Sequence, residues 1–300
     1  MLSRRHFLKH TGTALAMSPV AASLLRSWPQ QAEGFTSLRK GTGIFTQRGG
    51  TIGWLATDDA LVVVDTQSAQ SAPACWSGLQ DRTAHALDLV INTHHHGDHV
   101  GGNGVFDQYT DRFVAHAHVP DLMRQAAEGE NATDATYPTE TFEDRWRTSV
   151  GDETITLRHY GPGHTGGDAV VFFETANVVH VGDLVFNRAY PFIDVAGGAD
   201  SQNWIDTLET LHQELTDDTI VIHGHGNPEY GVTGDRADLL VMRDFLSALN
   251  EYVAQQRQAG ASLDEMQQID VLDGFEAFDF DWALSLDNCI EAVYREQTAG

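Results

Sequence analysis

Thr93-His94-His95-His96-Gly97-Asp98-His99 follows directly on Leu89-Val90-Ile91-Asn92. The short apolar run, bounded by polar residues, reads as a buried strand. The histidine-rich stretch therefore begins at a strand end. In an extended turn His94 and His96 point to one side and His95 to the other. Asp98 and His99 then curl back toward a second position. One loop thus offers two ligands to each of two metal ions, and zinc takes imidazole and carboxylate ligands in such sites. Val100-Gly101-Gly102 allows the backbone to turn tightly beside them.

Further ligand-type residues stand at other strand ends. Thr154 to Tyr160 alternates and leads into Gly161-Pro162-Gly163-His164. Val178-Val179-His180-Val181 leads into Gly182-Asp183. Thr219-Ile220-Val221-Ile222 leads into His223-Gly224-His225-Gly226. Loops at one edge of a sheet are where binding groups converge. A two-metal hydrolytic site needs about three protein ligands per metal and a bridging group. His94, His96 and His164 make one set; Asp98, His99 and His225 make the other; Asp183 can place one oxygen on each. Two metals bridged this way sit about 3.5–4 Å apart and share a water whose pKa falls to near 7.

In this order the motifs resemble those of the metallo-β-lactamase superfamily, over about residues 43–230. Asp65, closing Leu61-Val62-Val63-Val64, matches the first motif of that family. The resemblance implies an α/β fold, a four-layer αβ/βα sandwich with the metals at one edge of the two sheets. It implies that Asp98 binds metal and also orients the attacking hydroxide. It makes Asp65 a supporting residue that fixes the ligand loop.

Other residues compete for roles. His95 reads as a loop residue. His223 is an alternative to His225, although the family pattern places the ligand between two glycines. His116, His118, His159 and His180 lie on or beside strands and read as packed or surface residues. Asp168 either supports the His164 loop or makes a plain turn. Asn187, Arg188, Tyr190 and Asp194 are candidate pocket-lining residues.

Around these motifs, residues 31–42 read as a polar lead-in, 71–86 as a helix and 128–148 as an irregular connection. Trp204 to Leu215 is helical. Apolar residues from Leu239 to Val253 recur at helix spacing, and Ser262-Leu263-Asp264-Glu265 is a capping-box pattern. Residues 235–300 carry no histidine, so this C-terminal helical extension is expected to serve packing or pairing. The domain layout expected is a signal peptide over 1–30, the metal-binding domain over 31–234 and the extension over 235–300.

The first residues include Ser3-Arg4-Arg5-His6-Phe7-Leu8-Lys9, then a short apolar run broken by Pro19. This resembles a twin-arginine export signal, implying a periplasmic or extracellular protein. The run is too short for a comfortable membrane span. Lys+Arg total 18 against 43 Asp+Glu, a net charge of −25. Such a surface repels nucleic acid and anionic membranes, which leaves a small molecule as the expected partner. Cys75 and Cys289 sit in no metal-like spacing and read as structural.

The fold does not fix the substrate. The expectation is a zinc hydrolase with two Zn2+ that cleaves an ester, thioester or amide-type bond, similar to the glyoxalase II branch, which uses a bridging Asp at the position of Asp183. The segment from Asp183 to Asp206 also resembles exported metallohydrolases of sulfur oxidation and quinoprotein relay systems. A β-lactamase is an alternative, although zinc β-lactamases usually present Cys or Ser where Asp183 stands. An iron-dependent persulfide-type dioxygenase is another, and a non-catalytic metal-binding protein a third.

Overall fold

In a computed structural model of the chain, residues 33–127 and 135–298 are described. The twin-arginine stretch lies outside them. The first sheet holds seven strands in chain order: β1 (Phe35–Ser37), β2 (Thr42–Phe45), β3 (Ile52–Ala56), β4 (Leu61–Val64), β5 (Leu89–Ile91), β6 (Phe113–His116) and β7 (Glu140–Phe142). β1 to β4 pair antiparallel, and β4 to β7 pair parallel. The second sheet is built from β8 (Arg145–Val150), β9 (Glu153–Arg158), β10 (Val170–Phe173), β11 (Val178–His180), β13 (Ile220–Ile222) and β15 (Thr233–Gly234). A two-stranded piece joins β12 (Phe186–Asn187) to β14 (His225–Gly226) in parallel.

Side-chain alternation turns the two sheets into a sandwich. Val62, Val64, Leu89, Ile91 and Val114 of the first sheet meet Ile155, Leu157, Val171, Phe173 and Ile222 of the second. Val170, one residue out of phase with Val171, faces the other way with Val179 and Val221. These outer residues are covered by α5 (Ser201–Glu214), α6 (Arg236–Gln258) and α8 (Leu286–Thr298), through Trp204, Leu208, Leu239, Phe245, Leu249, Ile290 and Val293. On the opposite flank, α1 (Ala72–Gln80) lies so close to β1 that a Cβ on Gly78 would meet the Phe35 ring at 2.3 Å. The layers therefore run helix, sheet, sheet, helix.

Three expectations change. The polar lead-in contains β1 and ends where β2 begins, and Phe35 packs against Phe45 of that hairpin with ring centroids 4.7 Å apart. Part of the expected irregular connection is β7 and β8. Each is the last strand of its sheet, so Arg145, Arg147 and Glu140 can face water while the backbone pairs on one side. The first helix stops at Gln80, and beyond it Arg82 places its guanidinium 3.9 Å from the Phe35 ring centroid. The C-terminal reading holds in outline. The Asp235 side chain caps α6 at Ala237 N, and the Ser262–Glu265 capping box starts α7 (Leu263–Met266). No helix among the described residues is long and apolar enough to cross a membrane.

Candidate metal centre

β4 is followed by Asp65, which adopts a left-handed conformation with φ 61°. Asp tolerates this region better than most residues, but it still carries strain. The turn aims the carboxylate at the loop after β5. Asp65 Oδ1 accepts from Thr93 N at 2.8 Å. Its Oδ2 accepts from Thr93 Oγ1 at 2.7 Å and from His99 Nδ1 at 2.8 Å. With its hydroxyl proton given to Asp65, Thr93 Oγ1 is left to accept from His94 Nδ1 at 3.0 Å. Both rings thus have Nδ1–H committed and Nε2 turned outward.

The rest of the loop follows from its backbone. His96 is extended, while Gly97–Val100 forms a single helical turn, α2. The change in direction sends Asp98 and His99 to a different side from His94 and His96. Below the loop, Asn92 and Asn103 exchange side-chain amide bonds of 3.1 and 2.9 Å, and Thr66 N donates to His99 O at 2.7 Å. His164 enters between β9 and β10. Asp168 accepts from Thr165 N and Thr165 Oγ1 at 2.9 and 2.6 Å, so it supports that loop. His164 Nδ1 donates to Phe192 O at 2.6 Å.

Asp183 follows β11 on a turn that only glycines permit. Gly182 has φ 53°, and a Cβ there would lie 2.8 Å from Thr93 Oγ1. A Cβ on Gly224 would lie 1.9 Å from Asp183 Oδ1. His180 Nδ1 accepts from Gly182 N at 3.1 Å and steadies the turn.

These pieces bring the seven expected ligands together as two donor groups. His96 Nδ1 lies 3.1 Å from His94 Nε2 and 3.0 Å from His164 Nε2. His225 Nε2 lies 3.1 Å from Asp98 Oδ2 and 3.3 Å from His99 Nε2. Asp183 stands between the groups. Its Oδ1 is 3.0 Å from His99 Nε2, and its Oδ2 is 3.4, 3.5 and 3.8 Å from the Nε2 atoms of His225, His164 and His94. His94, His96, His164 and Asp183 form one set able to hold a metal ion, and Asp98, His99 and His225 a second.

The donors fit metal ions. Nitrogen lone pairs face one another and face Asp183 Oδ1, a buried oxygen with no hydrogen-bond partner outside the cluster. Buried polar atoms left so are rare and costly. Without a metal, protons stand in. Burial lowers the His99 imidazole, but Asp183 and Asp65 outweigh it and raise His99 well above its ordinary value. His225 is pushed up to about 9, burial being outweighed by Asp183 and Asp98. Burial and the neighbouring His96 push His164 down to about 3. Burial opposes ionisation of Asp183, yet His99, His225 and His94 hold it well below the usual carboxylate range.

Other expected residues fall in different places. His95 is buried, with Nε2 3.4 Å from Asp194 Oδ2, and with Asp194 and His96 it makes a further set able to hold a metal ion that shares His96 with the first. His223 is buried with neither ring nitrogen bonded, 3.8 Å from Asp238 and outside both groups. Of the four candidate lining residues, Asp194 reaches the site, 3.0 Å from His96 Nε2. Asn187 holds the β12–β14 region through Gly231 O, Arg188 pairs with Asp238, and Tyr190 is in the core. Phe192 and Trp282 also border the site, the first beside His96 and His164, the second beside His225. Trp282 belongs to the C-terminal extension, expected to serve packing or pairing, and no motif marked it as a neighbour of the site. A tryptophan in a polar stretch was its only sequence signal.

Comparison with known proteins agrees with this geometry. Residues 45–225 match the family model of the metallo-beta-lactamase superfamily. A hydroxyacylglutathione hydrolase of Rhodospirillum rubrum is 27% identical over 179 residues, 58% of this chain and 60% of that protein. The chain thus spans less than two thirds of that relative. An uncharacterized protein of Mycobacterium bovis is 28% identical over 186 residues, 56% of this chain and 81% of its own length. A stereoselective inverting sec-alkylsulfatase from Pseudomonas sp. superposes with a TM-score of 0.71 at 15% identity, covering 88% of this chain and 50% of that one. A metallo-beta-lactamase from Pontibacter korlensis gives 0.60 at 20% identity, covering 71% and 98%. The chain belongs to the metallo-beta-lactamase superfamily, a superfamily of metal-dependent hydrolases.

Proposed function

We propose that the protein is an exported zinc hydrolase that cleaves an ester, thioester or amide-type bond, with two metal ions held by His94, His96, Asp98, His99, His164, Asp183 and His225. The observation that carries this reading is the pair of donor groups meeting at Asp183. Zinc bound there would supply Lewis acidity and a water acidic enough to react near neutral pH.

The chain's own residues do the rest. Asp65 and Thr93 lock the tautomers of His94 and His99. Phe192 O and Asp194 do the same for His164 and His96. Asp98 is the most open member of the site, its side chain 44% exposed. Its Oδ2 faces His225 Nε2 at 3.1 Å, which leaves Oδ1 to orient the attacking water and take its proton. Burial of the histidines keeps bulk water away from the donor atoms and strengthens their electrostatics. Export rests on the twin-arginine pattern at Ser3–Lys9.

A thioester is the first substrate class to test, because the R. rubrum relative is named for hydrolysing hydroxyacylglutathione. The test offers a thioester and a chromogenic β-lactam side by side to zinc-loaded protein, with a chelator control. Chelator-sensitive thioester cleavage supports the reading. Cleavage of the β-lactam alone moves the chain to the lactamase branch.

A further inference from the structure

Three consecutive carbonyls tie the C-terminal segment to the metal centre. Tyr190 O accepts from Trp282 Nε1 at 3.2 Å, Pro191 O from Cys289 Sγ at 3.3 Å, and Phe192 O from His164 Nδ1 at 2.6 Å. The backbone of 190–192 is therefore clamped between residues 282–289 and a ligand histidine. Cys289 is fully buried, and burial raises its thiol far above the ordinary value, so it stays a neutral donor.

The clamp fixes two aromatic rings at the centre's rim. Phe192 is 44% exposed, with its ring 5.4 Å from His96 and 6.3 Å from His164. Trp282 is half-buried, 5.6 Å from the His225 ring and backed by Phe280 at 5.9 Å. The buried Phe186 lies 5.6 Å from His164 and stacks on His225 at 5.2 Å. Phe192 thus flanks His96 and His164, and Trp282 flanks His225. A large apolar ring held beside convergent polar groups gains nothing from water, and such rings mark where ligand surface is buried. Trp282 lies outside residues 45–225, the stretch shared with the superfamily model.

We propose that Phe192 and Trp282 form the substrate-selecting wall of the metal centre, and that the arm of the substrate packed against them is apolar, an alkyl or aryl group. This rests on the hydrolase reading for its chemistry. The wall itself is a statement about binding, so the two are tested apart.

The first arm measures kcat/KM for 4-nitrophenyl esters from acetate to hexanoate, with the succinate monoester as the charged counterpart. Each buried methylene is worth about fourfold. Wild-type protein should therefore gain roughly three- to fourfold per carbon over the first few carbons and disfavour the succinate ester. Phe192→Ala and Trp282→Ala should flatten that rise. Trp282→Phe, which keeps a ring and loses the bond to Tyr190 O, should keep most of it. Tyr109→Ala, removing an exposed aromatic stacked on Trp76, should leave it unchanged. The second arm needs no turnover. Ligand-observed NMR compares 4-phenylbutan-2-one with its ring-carboxylated analogue on zinc-loaded protein. The neutral ketone should bind at least about fivefold tighter, and both alanine variants should erase the difference.

A flat ester series, unchanged selectivity in both alanine variants, preference for the carboxylates, or no ketone binding overturns the wall. If no ester is cleaved in a chelator-sensitive way but the ketone preference appears and vanishes in the variants, the hydrolase reading fails and the wall stands.

Discussion

Asp194 Oδ2 lies 3.0 Å from His96 Nε2, and this contact sets which nitrogen of His96 faces the other donors. His96 is the one histidine of its group that offers Nδ1, at 3.1 Å from His94 Nε2 and 3.0 Å from His164 Nε2. Burial opposes the negative charge on Asp194, but the bonds from His96 and Gly197 N keep its carboxyl below the usual range. Outer partners of this kind commonly carry 10–100-fold in affinity or activity. Asp194→Ala should lower zinc affinity, and turnover with it, by about that factor. A competition titration against a chromogenic chelator reads the first, and unchanged affinity would remove Asp194 from the site.

Asp98 separates chemistry from folding. Its side chain is 44% exposed and its carboxylate faces His225 and His99. Asp98→Ala should abolish turnover while shifting unfolding free energy by less than about 1 kcal/mol, in the range of exposed substitutions. Wild-type rates in this variant would sink the assignment.

Gly224 tests how tightly Asp183 is placed. Because a Cβ would fall 1.9 Å from Asp183 Oδ1, Gly224→Ala must displace the shared carboxylate or the backbone. A displacement near 1 Å costs about 100-fold in rate. Turnover should fall by at least that, with less metal retained after dialysis. Full activity would mean that Asp183 does not need this position.

A histidine pair outside the centre is expected to contribute to acid sensitivity. His116 and His159 stack at 3.8 Å with an interplanar angle of 19°. Burial and the nearby His159 and His118 push His116 down to about 3, and burial also lowers His159. A lowered folded-state value means that the unfolded chain binds protons first as pH falls through its ordinary value near 6.5. Stability is therefore complete above about pH 6.5 and declines toward pH 3, by at most about 1.4 kcal/mol per pH unit for each histidine. His116→Phe keeps a ring in the stack and removes one of these protons. Urea unfolding at pH 7 and pH 4.5 should show a smaller acid loss in the variant. Parallel losses would show that His116 is not the proton acceptor.

The sequence exposed the centre more fully than its surroundings. Strand ends, residue chemistry and spacing pointed to the seven residues that the fold brings together, and Asp65 was placed beside them through its match to the first motif of the family. The tautomer-setting partners were mostly invisible. Thr93 and Phe192 act through a hydroxyl and a backbone carbonyl, and Asp194 meets His96 across 98 residues, so no local pattern announces them. The same holds for the fold. Buried central strands such as Leu61–Val64 stand out as apolar runs, whereas β8, Arg-Trp-Arg-Thr-Ser-Val, is an edge strand whose polar residues hide it. Trp282 escaped notice because long-range packing on Tyr190 and His225, with no periodicity, gives it its place.

The central claim is that two metal ions at Asp183 make the hydrolytic centre. The most direct measurement adds zinc stepwise to metal-stripped protein and follows bound metal and thioester cleavage together. The account predicts binding that saturates at two equivalents, with cleavage appearing as the sites fill and disappearing with chelator. Cleavage that persists in the stripped protein, or no zinc retained by the seven donors, would contradict it.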